Sequence, residues 1–198
     1  MTYRLNIKIA FTLLFSCLII FSASLVLANS SKDWFERGKS FQNEGAYQDA
    51  VEAYEKSAEL NPKYWVVYQN LGLAYQKLRN FEKASEAFQK ALKLAPDNLD
   101  IHLSLGSVYN FLEKWEQAIS HINLVVHRRS NDAVAHGNLG WAYFNYTSGP
   151  PFRMLTIVNL SRAAQLFEQE GMTQAAEATK KTLEEAKNKF GFNDENEF

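Results

Sequence analysis

Apolar positions follow two different patterns along this chain. From Ile9 to Ala28 they form one uncharged, mostly apolar run containing FTLLFSCLIIFSASLVLA, preceded by Arg4 and Lys8 and followed by the polar NSSKDWFERGK. Beyond that boundary the run gives way to a period. Apolar residues recur at three- and four-residue intervals, as in VVYQNLGLAYQKL and EKASEAFQKALKL, which predicts successive amphipathic helices with one buried face each. The helices come in pairs, and the pairs repeat. Gly38, Gly72, Gly106 and Gly140 recur every 34 residues. A repeat of that length predicts a stack of like units, each unable to bury its apolar stripes without its neighbours.

Counting units from Ser31, Trp65, Leu99 and Ala133, these glycines fall at position eight. Position four is Trp34, Tyr68, His102 and His136. Position seven is Arg37, Leu71, Leu105 and Leu139. Position eleven is Phe41, Tyr75, Tyr109 and Tyr143. Position twenty is Ala50, Ala84 and Ala118; position 24 is Tyr54, Phe88 and Ile122; position 32 is Pro62, Pro96 and Ser130. Small residues at eight and twenty sit where paired helices must approach, and the large residue at 24 fills the space between units. Proline at 32 ends the second helix. This pattern resembles the tetratricopeptide repeat, and the second unit carries its hallmark residues in Tyr68, Leu71, Gly72, Tyr75, Ala84, Phe88, Ala91 and Pro96. The resemblance implies an all-α fold, a right-handed superhelix of antiparallel helix pairs with a concave face.

The expected organisation is four units at 31–64, 65–98, 99–132 and 133–170, the last with an enlarged turn at Gly149, Pro150 and Pro151. Leu160 and Ala163 stand for its positions 24 and 27. MTQAAEATKKTLEEAKNKF, within 171–190, reads as an amphipathic capping helix with Ala175, Ala178, Thr182, Leu183 and Ala186 along its apolar side. A polar cap of this kind solubilises the open end of a repeat stack. Residues 191–198 form an acidic tail.

Residues 1–28 read as a signal peptide or a transmembrane anchor. Val26 and Ala28 suit cleavage before Asn29, while the run from Ile9 is just long enough to span a bilayer. Arg4 and Lys8 favour a cytoplasmic amino terminus in both cases, which puts the repeats on the non-cytoplasmic side or exports them. If the segment is uncleaved, residues 9–28 hold the chain to a membrane.

Composition narrows the functional classes. The formal net charge is −1, so no general electrostatic pull on nucleic acid is expected. One cysteine, Cys17, excludes a disulfide framework and a cysteine-rich metal site. Phosphate loops, HExxH, nucleophile elbows and EF-hand loops are missing from the sequence. His102 and His136 occupy equivalent positions one unit apart and are expected to pack as rings; His121 and His127 have no acidic or cysteine cluster in sequence. No metal, cofactor or catalytic residue is therefore expected.

The resemblance implies that positions two, five, nine, twelve and thirteen of each first helix line the concave face. On this chain the candidate partner-binding residues are Phe35, Lys39 and Asn43 in unit one, and Gln69, Leu73 and Lys77 in unit two. Unit three offers Leu103, Ser107 and Phe111; unit four offers Trp141, Phe144 and Asn145. The groove starts cationic and amide-rich and ends aromatic, and Phe111, Trp141 and Phe144 are expected to form one patch. Relatives that clamp a chaperone's terminal carboxylate use a lysine–asparagine set. At the corresponding places this chain has Phe35, Lys39, Asn70, Asp100 and Ser104, of which only Asn70 agrees. The expected function is a non-enzymatic scaffold or assembly factor, exported or membrane-tethered, that binds a protein or peptide segment in the groove. The alternative is a structural subunit that binds a larger membrane or envelope complex through its convex surface and capping helix. An enzyme or metal protein is a third class, with no motif behind it.

Overall fold

The computed structural model describes residues 30–146 and 152–192. The apolar run 9–28, the turn at Gly149–Pro151 and residues 193–198 lie outside the described residues.

Among the described residues the chain is helical throughout: α1 (Ser31–Asn43), α2 (Tyr47–Leu60), α3 (Trp65–Lys77), α4 (Phe81–Leu94), α5 (Leu99–Phe111), α6 (Trp115–Arg128), α7 (Ala133–Asn145), α8 (Arg153–Gln169) and α9 (Thr173–Phe190). Polar caps start several of them. The Asn98 side chain accepts from the amides of Asp100 and Ile101, Asp132 from Ala135, and Ser30 forms a capping box with Asp33.

Each pair is held by a glycine meeting a large residue. A Cβ on Gly72 would lie 2.7 Å from the Phe88 ring; one on Gly38 would meet Tyr54 at 2.5 Å, on Gly106 Ile122 at 2.4 Å, and on Gly140 Leu160 at 2.7 Å. The first and second helices thus touch backbone against side chain, and Ala50, Ala84 and Ala118 are buried across from them. Leu160 takes the place expected of it in the fourth pair. Neighbouring pairs are tied by a repeated polar bond. Tyr75 donates to the Glu55 carboxylate (2.5 Å), Gln89 donates to the Tyr109 hydroxyl (2.7 Å), and Asn123 donates to the Tyr143 hydroxyl (3.1 Å). Each bond joins position eleven of one unit to position 25 of the unit before.

The turn inside each of the first three pairs places its middle residue in the left-handed region: Gly45 (φ 79°), Arg79 (φ 58°) and Glu113 (φ 56°). The α8–α9 turn repeats this geometry at Gly171 (φ 71°), with the following amide, that of Met172, bonded back to the Phe167 carbonyl. That turn fixes the phase of α9. Ala176, five residues beyond the left-handed position like Ala50, Ala84 and Ala118, is buried with Leu183 and Ala186. The capping helix therefore exists but its buried face is a correction: Ala178 is exposed, and Ala175 and Thr182 are half-buried at the edge.

Candidate functional site

Among the first helices, α3 contacts α5 and α5 contacts α7, and the predicted groove residues lie along α1, α3, α5 and α7. Lys39, Asn43 and Lys77 are exposed; Gln69 and Ser107 are half-buried. Leu73 and Leu103 are half-buried and pack on the core, forming an apolar floor. Lys39 pairs with Glu36 at 2.9 Å, an exposed contact of little net strength.

Phe35 is not a groove residue. It is buried in the core, its ring 5.8 Å from Tyr54 and 5.2 Å from Tyr64. Tyr64, in the link to the second pair, roofs this position, which the resemblance had assigned to the groove. The three residues of the expected aromatic patch have different ring neighbours. Phe111 is 57% exposed but stacks on Phe81 with centroids 4.5 Å apart and planes 2° from parallel. Trp141 and Phe144 pack on each other, 6.0 Å apart, and Phe144 meets Phe190 of α9 edge-on at 6.0 Å. Lys189 covers Phe144 at 4.3 Å and donates to its carbonyl (3.1 Å). Phe144 is thus half-buried beneath the end of α9, whereas Trp141 remains 41% exposed. Asn145 donates to the Trp141 carbonyl (2.8 Å), bracing the turn that carries it.

Trp141 borders a cavity of 340 Å³ between α7 and α9, walled by Val134, Gly137 and Trp141 on one side and Ala178, Thr179 and Thr182 on the other. Its lining contains no charged residue. Gly137 keeps it open: a Cβ there would be 3.7 Å from Ala163 and Phe167, an ordinary contact, so a larger side chain would project into the space. The α9 wall was missing from the sequence-derived set, because it depends on the phase of the capping helix. The volume lies at the small end of the ~300–1,000 Å³ typical of ligand pockets and suits one large apolar side chain.

The histidines form contacts that neither their spacing nor their neighbours in sequence indicate. His102 Nε2 donates to the Pro96 carbonyl (2.9 Å), and its Nδ1 faces His121 Nδ1 at 2.8 Å. In the neutral pair, His121 is therefore the donor to His102. Burial, and secondarily the charge of His102, holds the His121 pKa below its ordinary value. His136 takes the equivalent place one unit later: its Nε2 lies 3.0 Å from the Ser130 carbonyl oxygen and its Nδ1 2.8 Å from Asn159 Oδ1. Both rings link position four to position 32 of the preceding unit and to position 23 of their own. Units one and two instead place Trp34 and Tyr68 at position four and Ala53 and Ala87 at position 23. Among the described residues no three histidine, cysteine or acidic side chains come together in a metal-holding group, and no helix is long and apolar enough to cross a membrane.

Sequence models of the tetratricopeptide repeat match residues 31–64 and 65–98. No curated protein sequence matches the chain. Among solved structures, YrrB, described as a repeat protein of this kind with an unusual peptide-binding site, is 20% identical with TM-score 0.64, covering 85% of this chain and 89% of its own. MamA (residue 41 to its end) from Desulfovibrio magneticus RS-1 is 17% identical with TM-score 0.63, covering 80% and 96%. The second repeat domain of human RPAP3, in complex with the HSP70 peptide SGPTIEEVD, is 25% identical with TM-score 0.52, covering 58% and 93%.

Proposed function

Because the chain is a tetratricopeptide-repeat protein, we propose that it is a non-enzymatic interaction module whose concave groove binds a segment of another protein. The observation that carries this reading is the uncharged cavity beside Trp141, set at the end of a groove floored by Leu73 and Leu103. Peptide binding by YrrB and by RPAP3, as their descriptions state it, supports the class of ligand. The mode differs from a carboxylate clamp. Phe35 is buried, Asp100 is tied to Arg129 at 2.6 Å, and Asn70 donates to its own helix at Val66 (2.8 Å). A large apolar anchor of the partner enters the cavity against Trp141, and the rest of the segment runs toward the polar end at Gln69, Lys77 and Lys39.

We further place this module outside the cytoplasm, exported or tethered by residues 9–28, as a scaffold or assembly factor. The basic Arg4 and Lys8 ahead of the apolar run support that address. Fractionation tests it: full-length chain recovered uncleaved in the soluble cytosol would overturn it.

The groove is tested with peptides selected from a random library on the immobilised protein. Trp141→Ala is expected to weaken the selected peptides about 30-fold, the ~2 kcal/mol of a hot-spot aromatic, with an unchanged helical melt. Loss of stability with undiminished affinity would make Trp141 a packing residue.

A further inference from the structure

Equivalent positions in the repeats act as internal controls for one another. With Tyr54, Phe88, Ile122 and Leu160 all packed on their glycines, the outward positions 18, 19 and 22 of the second helices align without ambiguity. In α2 they are Gln48, Asp49 and Glu52; in α4, Glu82, Lys83 and Glu86; in α6, Glu116, Gln117 and Ser120, all exposed. In α8 the same three sites are Met154, Leu155 and Val158, which are 50%, 42% and 54% exposed. Three polar faces are followed by one apolar face on an identical lattice, where burial in the stack cannot be the reason for the change.

Charge changes with it. From Thr147 to Phe167 the sequence has no Asp or Glu, while Arg153 and Arg162 flank the apolar sites. Neither guanidinium has a carboxylate partner among the described residues. Arg162 donates to the amide oxygens of Gln165 (3.0 Å) and Asn131 (2.6 Å), and Arg153 lies 5.9 Å from the Phe190 ring. The helix thus presents a small apolar ridge between two cations that have no carboxylate partner among the described residues, on the outward side and away from the groove.

We propose that this face of α8 contacts the interface of a lipid bilayer containing anionic lipids. Apolar side chains flanked by arginines and free of acids are what an interfacial helix requires. The size of the patch favours the same occupant. Stable protein contacts bury about 800 Å² on each partner, far more than three half-exposed side chains supply, whereas a bilayer accepts a shallow ridge without shape complementarity. The inference does not depend on the groove or on residues 9–28.

The test places an environment-sensitive fluorophore at position 158 of the full chain (Cys17→Ser, Val158→Cys) and a control at the equivalent site of unit two (Cys17→Ser, Glu86→Cys). Each is mixed with phosphatidylcholine vesicles or with vesicles that also contain phosphatidylglycerol. The label at 158 is expected to shift to the blue with the anionic vesicles, less with the neutral ones, and less again in high salt, while the label at 86 stays aqueous. Adding Met154→Glu and Leu155→Lys, the residues unit two carries at those sites, should lower vesicle partitioning of the 158 label about tenfold or more, with the helical melt retained. Because the readout is local, tethering through residues 9–28 cannot mimic it. An aqueous label at 158 with anionic vesicles overturns the proposal. So does an equal shift at 86, and so does a concentration-dependent shift without lipid, which would assign the face to a second copy of this chain.

Discussion

Gly72→Ala should destabilise the protein even though alanine is the better helix former. Replacing glycine within a helix ordinarily gains up to ~1 kcal/mol. Here the new Cβ would sit 2.7 Å from Cε1 and 2.8 Å from Cδ1 and Cζ of Phe88, about 1 Å inside the ~3.5–4.0 Å optimum of carbon contacts. The Phe88 ring is fully buried and its movement would displace neighbours on every side, so the overpacking cost of ~1–3 kcal/mol applies. The expected net loss is about 1–2 kcal/mol, and Gly72→Leu should cost more. A double-mutant cycle isolates the cause. Phe88→Ala alone should cost ~3–5 kcal/mol, and in that background Gly72→Ala should become neutral or mildly stabilising. Urea melts followed by circular dichroism give all four stabilities, with the slope checked for constancy because repeat arrays can lose cooperativity. An equal cost of Gly72→Ala in both backgrounds would refute the helix-against-ring explanation.

Gly137→Leu should fill the cavity beside Trp141, so isothermal titration with a groove-selected peptide should show affinity lost about as severely as in Trp141→Ala, at little cost in stability. His121 should make stability pH-dependent. Its folded pKa is held below the ordinary value of about 6.5 by burial and by His102, so the unfolded chain binds the proton first, and stability should fall as pH drops from about 6.5 to the folded pKa. His121→Asn, which copies the His136–Asn159 pair, should flatten that part of a melt-versus-pH curve; an unaltered curve would show that the pair does not titrate on unfolding. Lys39→Ala, at an exposed pair with Glu36, should change the salt dependence of peptide binding more than its strength.

The stack was legible in the sequence because its determinants are local and repeated. Small residues at Gly38, Gly72, Gly106 and Gly140 announce close helix contact; Tyr54, Phe88 and Ile122, expected between neighbouring units, lie against the glycine of their own pair. Phase and roofing were harder. The buried side of α9 follows from the left-handed turn at Gly171, which aligns Ala176 with Ala50, Ala84 and Ala118; an apolar stripe rich in alanine fits two neighbouring phases almost equally well. Phe35 carries the same position label as the half-buried Gln69 and Leu103, yet Tyr64 covers it. The His102–His121 contact joins positions four and 23 across a helix pair, and neither residue marks its partner in one dimension. The resemblance to the repeat family named the candidate groove residues, but the cavity at Trp141 needed the placement of α9.

Site-specific photocrosslinking from the groove and from the outer surface, in the cells that make the protein, tests the central claim most directly. A photoreactive residue at Gln69, Leu103 or Trp141 faces the groove, and one at Glu52 or Glu86 serves as the outward control. The account predicts that a discrete protein adduct forms from the groove positions, that Gly137→Leu abolishes the adduct at 141, and that the outward positions give none of that species. An adduct formed from positions 52 and 86 but absent from 69, 103 and 141 would contradict it and move the partner to the convex surface.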